Sequence, residues 1–199
     1  MYEQISIERQ NNIFAGFADV TLYRNTELNS EAGSHSRRVG QLSKAIGEAM
    51  RLPDNDIYKL EIGGLFHDIG KLAIREQVLN KTGPLTSQEW NEIKRHPEIG
   101  YRILCTYFEM SDIADYVLYH HERYDGSGYP GGLRAKEIPL LSRIISIADS
   151  YDAMTNRRSY KATLDQGLAV RELIVNKGTQ FDPDIVDIFI KRVLHYKID

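Results

Sequence analysis

The residues best suited to chemistry in this chain are its histidines and a few carboxylates. His35, His67, His96 and the adjacent pair His120 and His121 are five of its six histidines. Asp68 follows His67 directly, Glu31 lies one helical turn before His35, and Asp149 closes the apolar run from Ile144 to Ala148. Imidazole and carboxylate together form a ligand set for divalent Zn, Mn or Fe. The single cysteine, Cys105, rules out a thiolate zinc finger and any internal disulfide. Any one of these histidines alone is more readily a satisfied core residue than a ligand. The joint pattern differs, because several inward imidazoles and carboxylates are costly to bury unless they meet a metal or one another. His195, beside Lys191, Arg192 and Lys197, reads instead as part of a solvated face.

Spacing constrains the geometry. Glu31 and His35 stand at i, i+4 and share a helix face. His35 is in register with Val39, Leu42 and Ile46, which turns it inward. His67–Asp68 and His120–His121 are neighbours expected about 100° apart around a helix, a disposition that reaches two metals side by side. Asp68, with two oxygens, can bridge both. Lys71 near such a centre suits a phosphate oxygen; otherwise it is an exposed lysine after Gly70. Arg157, Arg158 and Lys161 form a small basic group that either holds a phosphate or ends a helix. Gly126 to Gly131 matches G-x-G-x-x-G literally, but no strand precedes it and Pro130 spoils the helix start, so it is no dinucleotide fingerprint. Gly70–Lys71 lacks P-loop spacing, and His121–Glu122 lacks the second zincin histidine, since position 125 is Asp125.

The elements that must position these groups are helical. Val39, Leu42, Ile46 and Ala49 recur at steps of three or four, and so do Ile57, Leu60 and Gly64, or Ile113, Val117 and His120. Thr86 with Glu89 predicts a capping box, Asp54 after Pro53 a helix start, and Asp182-Pro183-Asp184 another. Gly63 and Gly64 leave room for a close helix crossing. Six to nine helices are expected, with no convincing strand. Val78 to Leu85 and Asp125 to Pro139 are expected as long loops.

These residues together resemble the HD-GYP branch of the HD phosphohydrolase superfamily. The resemblance is carried by His67-Asp68-Ile69-Gly70-Lys71 and by the run from His120 to Pro130. Further support comes from His35-Ser36-x-Arg38-Val39, Leu79-Asn80-Lys81, the segment from His96 to Gly100, that from Ala148 to Thr155, and that from Gly178 to Pro183. It implies an all-α fold, a single helical domain with a five-helix HD core plus additional helices and a glycine-rich GYP loop. The domain is expected over residues 13–199, with 1–12 as an N-terminal arm or linker stub.

The implied activity is phosphodiesterase hydrolysis of cyclic di-GMP to pGpG, and on to GMP in many members. The implied metal ligands are His35, His67, Asp68, His96, His120, His121 and Asp149. Glu31 stands where some members hold a third metal. Lys71 corresponds to a phosphate-contacting lysine, and Tyr129, Arg158 and Lys161 to substrate-contacting positions. Tyr124 stands where Trp is common. Two or three divalent ions are expected, Fe or Mn ahead of Zn, Co or Ni. Asp68 is expected to bridge two ions, about 3.5–4 Å apart, beside a bridging hydroxide that attacks phosphorus while Lys71 stabilises the phosphate charge. The alternatives are a phosphodiesterase for another cyclic dinucleotide such as 3′,3′-cGAMP, and a non-catalytic cyclic-dinucleotide sensor.

The chain has 199 residues, 42% hydrophobic and 27% charged, enough for one well-cored domain. Its formal net charge of -3 disfavours long nucleic acid and anionic membranes, though a small dianionic dinucleotide needs only a local positive cluster. No apolar run spans a membrane and no signal peptide is evident, so a cytoplasmic location is expected. No receiver, PAS or GAF-like segment precedes the catalytic part. The alternatives are a lone enzyme, one controlled by a regulatory partner or as a homodimer, and a fragment of a larger protein.

Overall fold

The computed structural model describes residues 30–156 and 164–197, with side chains from Ser34 onward. Arg157, Arg158, Lys161 and the proposed boundary after residue 12 lie outside the described residues, as does the side chain of Glu31. The chain divides into two compact units, Met1–His35 and Ser36–Asp199.

The described residues are helical, with no strand among them apart from an isolated bridge between Lys177 and Phe181. In order they form α1 (Ser30–Met50), α2 (Asp54–Phe66), a 3-10 turn (Ile69–Ala73), α3 (Glu76–Leu79) and α4 (Ser87–Ile93). Then follow α5 (His96–Cys105), α6 (Ser111–Leu118), α7 (Leu140–Thr155), α8 (Gln166–Val175) and α9 (Pro183–Ile188). No helix among them is long and apolar enough to cross a membrane.

Local chemistry sets the helix starts. Pro53 precedes α2, and Asp54 and Asp56 in its first turn complement the helix dipole. The expected capping box opens α4: Glu89 N–H donates to Thr86 Oγ1, and Thr86 N–H donates to the Glu89 carboxylate at 2.7 Å. Asp182 caps α9 by accepting from Asp184 N–H at 3.0 Å, with Pro183 in the first turn. The loop expected from Val78 begins later, because Val78 and Leu79 complete α3 and Val78 is buried.

Helix α7 is the central element. Leu141, Ile144, Ile145 and Ala148 repeat along its buried face. They pack in one core with Val39 and Ile46 of α1, Leu60 of α2, Val170 and Leu173 of α8, and Ile185 and Val186 of α9. Two glycine contacts lock the frame. A Cβ on Gly64 of α2 would lie 2.8 Å from Gly40 Cα of α1, so the two backbones touch as the Gly63–Gly64 pair predicts. A Cβ on Gly70 would lie 1.9 Å from the His96 carbonyl, so the 3-10 turn sits directly against the start of α5.

Candidate metal centre

Three histidines are delivered by helix ends in the same way. His67 follows the last residue of α2 and its Nδ1 lies 2.7 Å from the Gly64 carbonyl. His96 follows α4 at the start of α5, with Nδ1 2.7 Å from the Ile93 carbonyl. His120 lies beyond α6, with Nδ1 2.6 Å from the Val117 carbonyl. A carbonyl only accepts, so each Nδ1 carries the proton and donates it. Each Nε2 is left with a lone pair.

The expectation that His67–Asp68 and His120–His121 sit within helices is corrected here. Both pairs lie in the turns just past α2 and α6. The imidazole N–H takes the carbonyl three residues back, where another helical turn would have supplied a backbone N–H. The helix stops and the side chain swings across its end.

The Nε2 atoms then converge on Asp68. Asp68 Oδ2 lies 3.3 Å from His67 Nε2, and Oδ1 lies 3.3 Å from His96 Nε2. Asp149, from the middle of α7, brings Oδ1 to 3.7 Å from His67 Nε2. His96 and His120 face each other through Nε2 atoms 3.5 Å apart. His121 stacks beside His120, ring centroids 3.9 Å apart, and 5.0 Å from the His96 ring. Asp68, His96, His120 and His121 each offer a ligand atom, all within 4.8 Å of one another. The carboxylate thus sits between His67 and the His96–His120–His121 cluster, Oδ2 toward the first and Oδ1 toward the second.

The donor set fits a divalent cation. With both protons on Nδ1, the facing Nε2 atoms of His96 and His120 have no proton to share, and their lone pairs oppose each other. Asp68 Oδ1 is buried with no hydrogen-bond partner among the described residues. A cation relieves both costs at once. Electrostatics keeps the ligands in their binding forms. Burial, with the neighbouring imidazoles, pushes His120 well below its ordinary value, burial lowers His96, and burial pushes His121 down to about 3. Burial alone would raise the Asp68 carboxyl. The Lys71 ammonium, 2.6 Å away, leads the charges that outweigh it and hold that carboxyl well below the usual range.

Lys71 reaches the centre's edge from the 3-10 turn. Its Nζ lies 2.6 Å from Asp68 Oδ2, and the side chain is 35% exposed. Tyr129 lies over His121, ring centroids 5.0 Å apart, and burial with the charges of Asp68 and Asp149 pushes its phenol up, so it stays a proton donor. Of the remaining candidates, His35 is a buried residue of α1, and His195 is exposed as expected.

Two features were not anticipated. Arg38 of α1 grips the buried Asp152 of α7 with two hydrogen bonds of 2.6 and 3.0 Å, beside a cleft of about 250 Å³ lined by Gln41, Leu42, Tyr151 and Asn156. Arg38 and Asp152 stand in segments already singled out, His35-Ser36-x-Arg38-Val39 and Ala148 to Thr155, but no sequence signal pairs them. The second is Glu122, 3% exposed, whose Oε1 accepts from Gly131 N–H at 2.6 Å and Gly132 N–H at 3.0 Å. A glycine-rich loop in need of an anchor was the available hint.

A model of the HD domain family matches residues 26–185 of the chain. The chain is 41% identical over 165 residues to a cyclic di-GMP phosphodiesterase of Thermotoga maritima, covering 81% of this chain and 44% of that protein. It is 34% identical over 163 residues to 3′3′-cGAMP-specific phosphodiesterase 2 of Vibrio cholerae, covering 81% and 31%. The chain therefore spans less than half the length of these relatives. Among solved structures, Bd1817, an HDG"Y"P protein from Bdellovibrio bacteriovorus, shares the fold with a TM-score of 0.65 at 18% identity, covering 82% of this chain and 52% of that one. The family match covers most of the chain, and the chain belongs to the HD domain family.

Proposed function

We propose that this chain is a metal-dependent phosphodiesterase that hydrolyses cyclic di-GMP to pGpG, acting in the cytoplasm. The observation that carries the reading is Asp68 between His67 and the cluster of His96, His120 and His121, one oxygen facing His67 and the other His96. The proposed ligands are His35, His67, Asp68, His96, His120, His121 and Asp149, with Glu31 for a third ion, and Fe or Mn as the metal. Divalent ions held there supply an activated water nucleophile and neutralise phosphate charge.

The chain's own groups do the rest. Water adds to phosphorus, the P–O3′ bond breaks, and the leaving 3′-oxygen takes up a proton. Asp68 stands between His67 and the His96–His120–His121 cluster and fixes their spacing. Lys71, a third exposed beside Asp68, stabilises the negative charge that grows on the phosphate oxygens. Tyr129 stacks against or donates a hydrogen bond to the substrate, and Arg158 with Lys161 holds the other phosphate.

The likeness to a 3′3′-cGAMP-specific relative favours a second reading, in which the hybrid dinucleotide is preferred. Product analysis after incubating metal-loaded protein with each dinucleotide separates the two. Conversion of cyclic di-GMP to pGpG is expected, and Asp68→Ala should lower turnover by about 100-fold or more, because it removes a carboxylate that would hold the metal. Negligible cleavage of cyclic di-GMP alongside rapid cleavage of 3′,3′-cGAMP would transfer the assignment to the second substrate.

A further inference from the structure

Glu122 is buried beside the centre, yet its carboxylate points away from the metal ligands and into the loop that follows. Oε1 accepts from the Gly131 and Gly132 amides, and the Leu133 amide also acts on the carboxylate. Successive backbone N–H groups converging on one oxygen form an anion-binding nest, closed here by a side chain of the same segment. Oε2 is buried with no hydrogen-bond partner among the described residues. Leaving a carboxylate oxygen so placed is costly, so the loop is held against a real penalty.

The clamp closes a ten-residue span that carries Tyr129 and is held at several other points. Tyr129 N–H donates to the His121 carbonyl at 3.3 Å. Gly128 presses on the Glu122 backbone so closely that a Cβ there would lie 2.5 Å from Glu122 Cα. On the far side, Tyr124 N–H and Asp125 N–H donate to the carbonyls of Gln180 and Thr179, and Arg123 Nη1 donates to Gln180 Oε1 at 2.8 Å. The Gly178–Pro183 motif thus serves as a strap for this loop. Tyr129 lies between the His121 carbonyl and the Gly131–Gly132 clamp.

We propose that Glu122 is a positioning residue that holds Tyr129 over His121 and so sets how the dinucleotide seats, without itself touching substrate or metal. The kinetic part of this inference rests on the phosphodiesterase reading; the structural part does not.

The test compares wild type with Glu122→Gln, Glu122→Ala, Tyr129→Ala and the Glu122→Ala/Tyr129→Ala double variant. Metal content per chain, amide hydrogen exchange over residues 126–134 and the kinetics of cyclic di-GMP hydrolysis are measured on each. Glu122→Ala should keep its metal, lose exchange protection at the Tyr129, Gly131 and Gly132 amides, and raise KM about 10-fold with a smaller change in kcat, the size of one lost positioning hydrogen bond. Glu122→Gln retains an acceptor oxygen and should return both protection and KM to near wild type. The double variant should be no worse than Tyr129→Ala, because both changes remove one effect.

Three results overturn the proposal: full protection at Tyr129 in Glu122→Ala, loss of metal from that variant, or penalties that multiply in the double variant. If wild-type protein loaded with metal does not cleave cyclic di-GMP, the functional reading falls, and exchange at Tyr129 alone decides the positioning role.

Discussion

His67, His96 and His120 each donate Nδ1–H to the carbonyl three residues back and turn Nε2 inward, and the burial of His96, His120 and His121 has a consequence for pH. In the unfolded chain a histidine takes up a proton near pH 6.5. In the metal-free fold His121 does so only at about 3, and burial lowers His96 and His120 in the same direction. Below pH 6.5 the unfolded chain therefore binds more protons than the folded one. Stability falls as pH drops through that window, by up to ~1.4 kcal/mol per pH unit for each such histidine. Asp68 acts at lower pH. Its carboxyl is held down, so its contribution is present above the ordinary carboxylate value and lost as pH falls below it. Chelator-treated protein should lose on the order of 5 °C or more of melting temperature per pH unit between pH 6.5 and 5. A flat melting temperature across that range would mean that these imidazoles are not held neutral by burial.

At the scale of elements, helix starts were legible in the sequence and helix ends were not. Thr86 with Glu89 and Asp182 with Pro183 are local signals, because a cap acts on amides two or three residues away. The ends of α2 and α6 carry no glycine or proline stop; Phe66 and Leu118 are followed by His67 and by Tyr119–His120. The apolar spacing through Val117 and His120 is still helical at that point, so periodicity overruns the true end. What stops each helix is the side chain's own hydrogen bond, which no periodicity registers. The histidines and carboxylates of the centre were visible one by one, whereas the contacts of Glu122 were not, since its partners are backbone amides that carry no sequence signal. The join between the 3-10 turn and α5 is equally silent in the sequence, and it makes a sharp prediction. Gly70→Ala places a Cβ 1.9 Å from the His96 carbonyl and 2.7 Å from Gly100 N, both backbone atoms that cannot step aside. It should cost about 2–4 kcal/mol in urea denaturation and displace His96 with it. Gly83→Ala, where nothing lies within 4 Å, should stay within about 0.5 kcal/mol of wild type. Equal effects at the two sites would contradict the close approach.

At the scale of the whole molecule, the centre joins parts of the chain that share no local contact. His67 and Asp68 come from just past α2, His96 from the start of α5, His120 and His121 from just past α6, and Asp149 from the middle of α7, the helix on which the core is built. The formal charge of -3 equals the number of proposed carboxylate ligands, Glu31, Asp68 and Asp149, so the acidic excess describes the metal-free chain and not its loaded surface. Metals at such a junction act as cross-links of the native state alone, because an unfolded chain does not gather these ligands. At a free metal concentration 100-fold above Kd, one ion adds ~2.7 kcal/mol to unfolding stability. For a domain of this size that corresponds to roughly 5–10 °C in melting temperature. Chelation should lower the melting temperature by that amount, and anaerobic addition of Fe²⁺ or Mn²⁺ should restore it. His120→Ala should blunt the response, because it removes one of two facing lone pairs while leaving α7 and its core intact. A melting temperature indifferent to chelator and to added metal, in protein that binds fewer than two ions per chain, would mean that the imidazoles meet one another and not a cation. The lone-pair opposition at 3.5 Å would then have to be relieved by a shared proton, which the depressed values of His96 and His120 resist.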